Sequence, residues 1–191
     1  MMFLTSRISY RTNPRETWHP SSKLYEDFES RRSTVEDILN QLRHPNVNIV
    51  GVHGMGGMGK TTLAREVGKQ AEEQMLFDVV VFVEISEKPE IKKIQEAIAD
   101  NLGLEFRERS EFGRARLLCK RLKQEINVLL ILDNIWKGLN LETVGIPFGN
   151  DHPGCKLLLT ARSIDVLLND MNSRQNFSID CLSEKRSFGP V

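Results

Sequence analysis

The chain has 191 residues and 40% hydrophobic content, enough for one domain of moderate size with a proper core and too apolar for wholesale disorder. Lysine plus arginine and aspartate plus glutamate both number 26, so no broad basic field exists for a nucleic-acid backbone or an anionic membrane, and any anion must be met by local geometry. Cys119, Cys155 and Cys181 are odd in number and far apart, which argues against a disulfide framework or paired metal ligands and for a reducing compartment.

The start, "MMFLTSRISYRTNPRETW", is too briefly apolar for a secretory signal. Its Arg, Ser and Thr content, with no acid before Glu16, leaves an organelle transit peptide open beside the simpler reading of a solvated linker. Pro14 and Pro20 among polar residues make residues 1–24 an extended lead-in. No apolar run reaches the ~20 residues of a membrane helix, so a soluble protein without a membrane span is expected.

"STVEDILNQLRH" has Ser33 and Glu36 at capping-box spacing and Val35, Ile38, Leu39 and Leu42 on one face, a helix closed by Pro45. "VNIVGV" predicts a short strand, followed by a glycine loop and a helix with Leu63, Val67, Ala71 and Met75 inward. "FDVVVFVEI" is apolar without much alternation, as a strand buried on both faces requires. "PEIKKIQEAIADNLG" predicts a helix opened by Pro89, carrying Ile91, Ile94, Ile98 and Leu102, and stopped by Gly103. A further helix over residues 111–126 uses Phe112, Ala115, Cys119, Leu122 and Ile126. "VLLILDN" and "CKLLLTAR" predict two more strands, with "NFSID" a possible fifth. Strands separated by helices predict an α/β fold, a parallel sheet with helices on both faces.

Gly54, Gly59, Lys60 and Thr61 satisfy the pattern G-x-x-x-x-G-K-S/T. Glycines permit positive φ and remove side chains, so successive N–H groups converge on phosphate oxygens. Lys60 adds a point charge for the β and γ phosphates, the Thr61 hydroxyl can ligate Mg²⁺, and the helix that starts there aims its positive end at the same anion. A chain of this size would show the pattern by chance about one time in a hundred. The strand before it and helix after it make a nucleotide site the better reading, over residues Gly54, Met55, Gly56, Gly57, Met58, Gly59, Lys60, Thr61 and Thr62. Asp133 ends an apolar run, where a carboxylate holds Mg²⁺ directly or through water; the bland alternative is an aspartate that starts a turn. His19, His44, His53 and His152 lack ligand spacing, and His53, just before the loop, either packs or borders the nucleotide.

With these motifs, the chain resembles the nucleotide-binding (NB-ARC) domain of plant disease-resistance proteins with leucine-rich repeats, in the coiled-coil branch. "GVHGMGGMGKTTLAREV" is similar to the family P-loop, "FDVVVFVEISEKPEIKKIQEAIADNLGL" to its next block, "VLLILDNIW" to its acidic kinase-2 motif and "GCKLLLTARSIDVL" to the block that follows. The resemblance runs from "YEDFESRRSTVEDIL" to "NFSID" and places the nucleotide-binding domain at 25–182, with a divergent tail at 183–191. It implies a P-loop NTPase three-layer sandwich with strand order 5-1-4-3-2, and so sets "KLLLTA" between the P-loop strand and the Asp133 strand. Arg162 then emerges beside the γ-phosphate as the family's sensor of ATP against ADP, the alternative being a solvated arginine at a strand end.

Two departures shape the functional expectation. Asn134 stands where the family has a second aspartate; an amide orients water but accepts no proton, and loss of a base costs ~10² to 10⁴ in rate, so at most a slow ATPase is expected. After "SIDCL" the family continues through helical ARC subdomains and repeats, whereas "SEKRSFGPV" stands here, which leads to the expectation of a truncated product or isolated segment. The resemblance implies an ADP- or ATP-binding, Mg-dependent cytoplasmic switch in plant defence, with other receptor domains or host and pathogen proteins as partners and no nucleic acid. An active ATPase or kinase, or a non-switching adaptor or decoy, are the alternatives.

Overall fold

The computed structural model describes residues 32–179. The expected lead-in 1–24, the tail 183–191, His19, Cys181 and the last residue of "NFSID" lie outside them.

Helix α1 (Arg32–Arg43) buries Val35, Ile38, Leu39 and Leu42, the stripe read from the sequence, and ends before Pro45, which has no N–H to donate. Ser33 is already inside this helix and is not the residue that opens it. Strand β1 (Ile49–His53) leads through the glycine loop to α2 (Lys60–Glu73), where Leu63, Val67 and Ala71 face the core. Met75 does not join them: it lies past the helix end at φ 51 and is 80% exposed. The chain reverses there, Leu76 N–H donating to Ala71 O at 2.9 Å, and Leu76 packs on the core in its place. Spacing by four holds only while the helix lasts.

Strand β2 (Val79–Glu84) is followed by α3 (Ile91–Asn101), with Glu90 rather than Pro89 as the residue before its first turn. Gly103, at φ 60, ends it in the left-handed conformation glycine adopts freely. Helix α4 (Glu111–Leu122) is capped by Ser110, whose Oγ accepts from Gly113 N–H at 3.1 Å. Its inner face is Ala115, Leu118 and Leu122; Phe112 is 74% and Ile126 78% exposed, contrary to expectation. At 100° per residue Phe112 points about a quarter turn away from that face, and Ile126 lies in the turn beyond the helix. Strand β3 (Val128–Ile135), the short α5 (Leu141–Val144), β4 (Cys155–Ala161) and β5 (Gln175–Ser178) complete the fold.

All strands are parallel, in the order β2-β3-β4-β1-β5, which is the expected 5-1-4-3-2 read from the other edge. Alternate strand residues feed two cores. Val50, Val52, Leu129, Ile131 and Leu158 meet α1 and α2 on one face, while Leu130, Leu132, Leu157 and Leu159 meet α3, α4 and α5 on the other. Burial on both faces explains why the strands read as apolar runs.

The two ends of the sheet differ in chemistry. At the amino end, Lys156 of β4 is 6% exposed and its ammonium donates to the carbonyls of His44 (3.3 Å), Pro45 (3.2 Å) and Val47 (2.7 Å), tying the α1–β1 turn to the sheet. At the carboxyl end, β3 and β4 fall out of register between Leu132 and Ile135, and Asn134 takes φ 66. Asparagine is among the few non-glycine residues that adopt this conformation readily. The glycine loop opens at this end.

Candidate functional site

The loop between β1 and α2 is shaped by backbone conformations that side chains oppose. Gly57 and Gly59 have φ 81 and 79, and a Cβ on Gly54 would stand 2.4 Å from the carbonyl oxygen of Ile179. Lys60 opens α2 and folds back under the loop, its Nζ donating to Gly54 O at 2.6 Å and Met55 O at 2.8 Å. Burial, helped by nearby Arg162, holds its ammonium below lysine's ordinary value, and Asp133 works the other way. An ammonium in that position is poorly compensated by its surroundings and has one donor left among the described contacts.

Asp133, at the end of β3, is 1% exposed. Thr61 donates to its Oδ2 at 2.7 Å and Thr160 of β4 to its Oδ1 at 2.5 Å; the Thr160 hydroxyl in turn accepts from Asn134 N–H at 2.8 Å. Both carboxylate oxygens are therefore oriented by hydroxyls. Among the described residues no group of three or more His, Cys, Asp or Glu side chains could hold a metal by themselves. The oxygen set present nevertheless fits Mg²⁺, which takes few protein ligands, retains several waters and relies on substrate phosphates. Thr61 has lone pairs free for a direct contact, and Asp133 is placed to act through water.

A cleft of about 280 Å³ lies over these groups. Of the residues expected to hold a cofactor, Gly56, Gly57, Gly59, Lys60 and Thr61 line it; Asn134, Thr160 and Arg162 enter from the strand ends. Gly54 and Met55 contribute carbonyls to Lys60, Met58 packs against the α1–α2 core, and Thr62 is exposed on the helix. His53 is outside the cleft lining; its carbonyl accepts from Ile179 N–H at 2.8 Å. The Asn134 amide faces Ile85 O at 3.4 Å.

Two residues escaped the sequence reading. Thr160 is fully buried inside "KLLLTA", with nothing in its neighbours to mark it; the strand order puts it beside Asp133. Trp136 follows β3 directly, and Arg162 lies over its ring at 4.3 Å from the centroid. The arginine that the family resemblance set beside the terminal phosphate thus has an aromatic neighbour at the cleft.

Known proteins bear on this geometry in two ways. The family model described as "NB-ARC domain" matches residues 31–189. In Arabidopsis thaliana, disease resistance protein UNI is 36% identical over 152 residues, 78% of this chain and 17% of that protein, and disease resistance protein RPS5 is 34% identical over 157 residues, 81% and 18% respectively. The chain thus spans under a fifth of the length of these relatives. Among solved structures, Cdc6p from Pyrobaculum aerophilum superposes with a TM-score of 0.58 at 19% identity, over 90% of this chain and 48% of that one. The ORC2 protein of Aeropyrum pernix gives 0.57 at 19% identity, over 78% and 48%. At those identities the likeness establishes the fold. No helix of the described residues is long and apolar enough to cross a membrane.

Proposed function

The chain belongs to the NB-ARC family, and on that premise we propose that it is the ADP- and ATP-binding switch module of a plant intracellular immune receptor, working in the cytoplasm and hydrolysing ATP weakly or not at all. The observation that carries this reading is the meeting of Lys60, Thr61 and Asp133 from two separate strand ends under a glycine loop whose cleft is open to solvent. The loop amides and Lys60 would bind the β-phosphate; Thr61 and Asp133 would hold Mg²⁺, whose charge would help neutralise the phosphates. Arg162 at the cleft rim senses the third phosphate, and a group that meets ATP but not ADP is what a nucleotide switch needs.

Asn134 argues against efficient hydrolysis. Its position at the cleft suits a water-orienting residue, and an amide there accepts no proton. Receptor domains beyond residues 25–182, or host and pathogen proteins, are the partners this reading calls for, and no nucleic acid is among them. Mass spectrometry of nucleotide released from the purified chain, with calorimetry against Mg·ADP and Mg·ATP, tests it. Adenine nucleotide is expected in the released fraction with micromolar or tighter affinity; a chain that neither carries nor binds one has lost this function.

A further inference from the structure

Arg162 leaves β4 exposed to solvent, yet it is bracketed. Trp136 lies on one side, 4.3 Å from ring centroid to guanidinium carbon. The glycine loop lies near as well: a Cβ built on Gly56 would stand 3.8 Å from the same carbon. Trp136 reaches this place because β3 changes course just before it. The extra residue between Leu132 and Ile135, the left-handed Asn134 and the bond from Asn134 N–H to Thr160 Oγ1 together carry the end of β3 toward the end of β4.

Arg162 also has a reason to leave. Its charge acts against that of Lys60 in the same cleft, and an exposed guanidinium gains hydration by swinging outward. An indole face attracts it through the ring quadrupole and leaves its N–H edge available for oxygen acceptors. The indole N–H of Trp136 is buried with no partner among the described residues, a cost that phenylalanine would avoid. What the indole offers in return is the aromatic face with the strongest attraction for cations.

We propose that Trp136 is the positioning residue that seats Arg162 over the phosphate loop, so that its N–H groups meet the terminal phosphate of a nucleoside triphosphate and find no acceptor in a diphosphate. This rests on the reading of Arg162 as the terminal-phosphate sensor. Trp136 thereby sets the preference between the two nucleotides, while Lys60 and the loop amides set the affinity common to both.

The test is the ratio of Mg·ATP to Mg·ADP affinity in the full 191-residue chain. Trp136→Ala is expected to lower ATP affinity about threefold, the worth of an exposed cation–π contact, with ADP affinity unchanged within error. Trp136→Phe should recover part of the loss, and Trp136→Ala added to Arg162→Ala should change nothing further. With Trp18, the other tryptophan, replaced by phenylalanine, emission reports Trp136 alone and should respond to ATP and not to ADP. An unchanged ratio in Trp136→Ala while Arg162→Ala collapses it overturns the seat and leaves the sensor standing. Equal losses for both nucleotides in Trp136→Ala mark a structural role and overturn it too. An unchanged ratio in Arg162→Ala removes the sensor reading, and the seat falls with it.

Discussion

Lys60 and Lys156 stand at opposite ends of the same sheet and look alike in isolation. Each is at least nine-tenths buried, each donates to backbone carbonyls, and burial holds each below lysine's ordinary value. They differ in what is left over. Lys156 spends all three N–H donors on His44, Pro45 and Val47, and so closes a turn. Lys60 spends two, on Gly54 and Met55, and faces a cleft that also contains Arg162. A buried lysine becomes a ligand-binding group when its surroundings leave it a donor and add a second cation; saturated by carbonyls, it is a structural clasp.

The sharpest way to break this comparison is to remove each charge. Lys60→Ala should weaken both Mg·ADP and Mg·ATP by more than about 100-fold in calorimetry, because a charge-assisted contact to phosphate is lost; retained affinity would refute the assigned site. The melting temperature of the nucleotide-free protein should move less than in the Lys156 variant. Next in size, Asn134→Asp puts a carboxylate into a backbone position that aspartate tolerates, and phosphate release should rise by about tenfold or more. An unchanged rate takes residue 134 out of the mechanism.

Lys156→Ala strands three carbonyls and should cost about 2 kcal/mol, a melting shift of roughly 4–8 °C, with nucleotide affinity intact. A coupled loss of affinity would mean the two ends are not separable. The smallest effect concerns pH. The protonated form of Lys60 binds phosphate, so affinity is fully present below its lowered pKa and falls as pH rises through that value, ahead of lysine's ordinary 10.5. The part of the nucleotide-free fold's stability that Lys60 and Lys156 govern moves the opposite way: between their lowered values and 10.5 they bind fewer protons folded than unfolded, so that part rises with pH, while Lys93, Lys123, Cys119 and Cys155, all raised, pull against it. Calorimetry over an alkaline series should show affinity falling before pH 10.5 is reached; affinity that holds level to that pH would mean that the Lys60 charge is not used.

The cleft was legible where chemistry is local. Gly54 to Thr61 announce themselves by composition, and Asp133 by its place after five apolar residues. The strands were legible because burial on both faces leaves no alternation. Strand order came from family resemblance, since periodicity says nothing about which runs are neighbours. What escaped depends on distant parts of the chain. Lys156 sits in "GCKLLL" like any strand-end lysine, and only the fold brings Val47 to it. Thr160 and Trp136 gain their meaning from a register shift that no local pattern announces. Phe112, Ile126 and Met75 depart from helical spacing for the converse reason: the helix turns Phe112 away from the core and has ended before Ile126 and Met75.

The order of the strands also governs when the site can exist during synthesis. Among the described strands β1, from which the phosphate loop springs, is made first, yet its neighbours β4 and β5 are the last two to be made. A nascent chain halted anywhere before Cys155 has a loop whose supporting strand has no partner on either side, and its apolar residues remain unpaired until nearly the whole domain has emerged. Capacity for nucleotide therefore arrives only once β4 and β5 have emerged, together with the closing of the sheet.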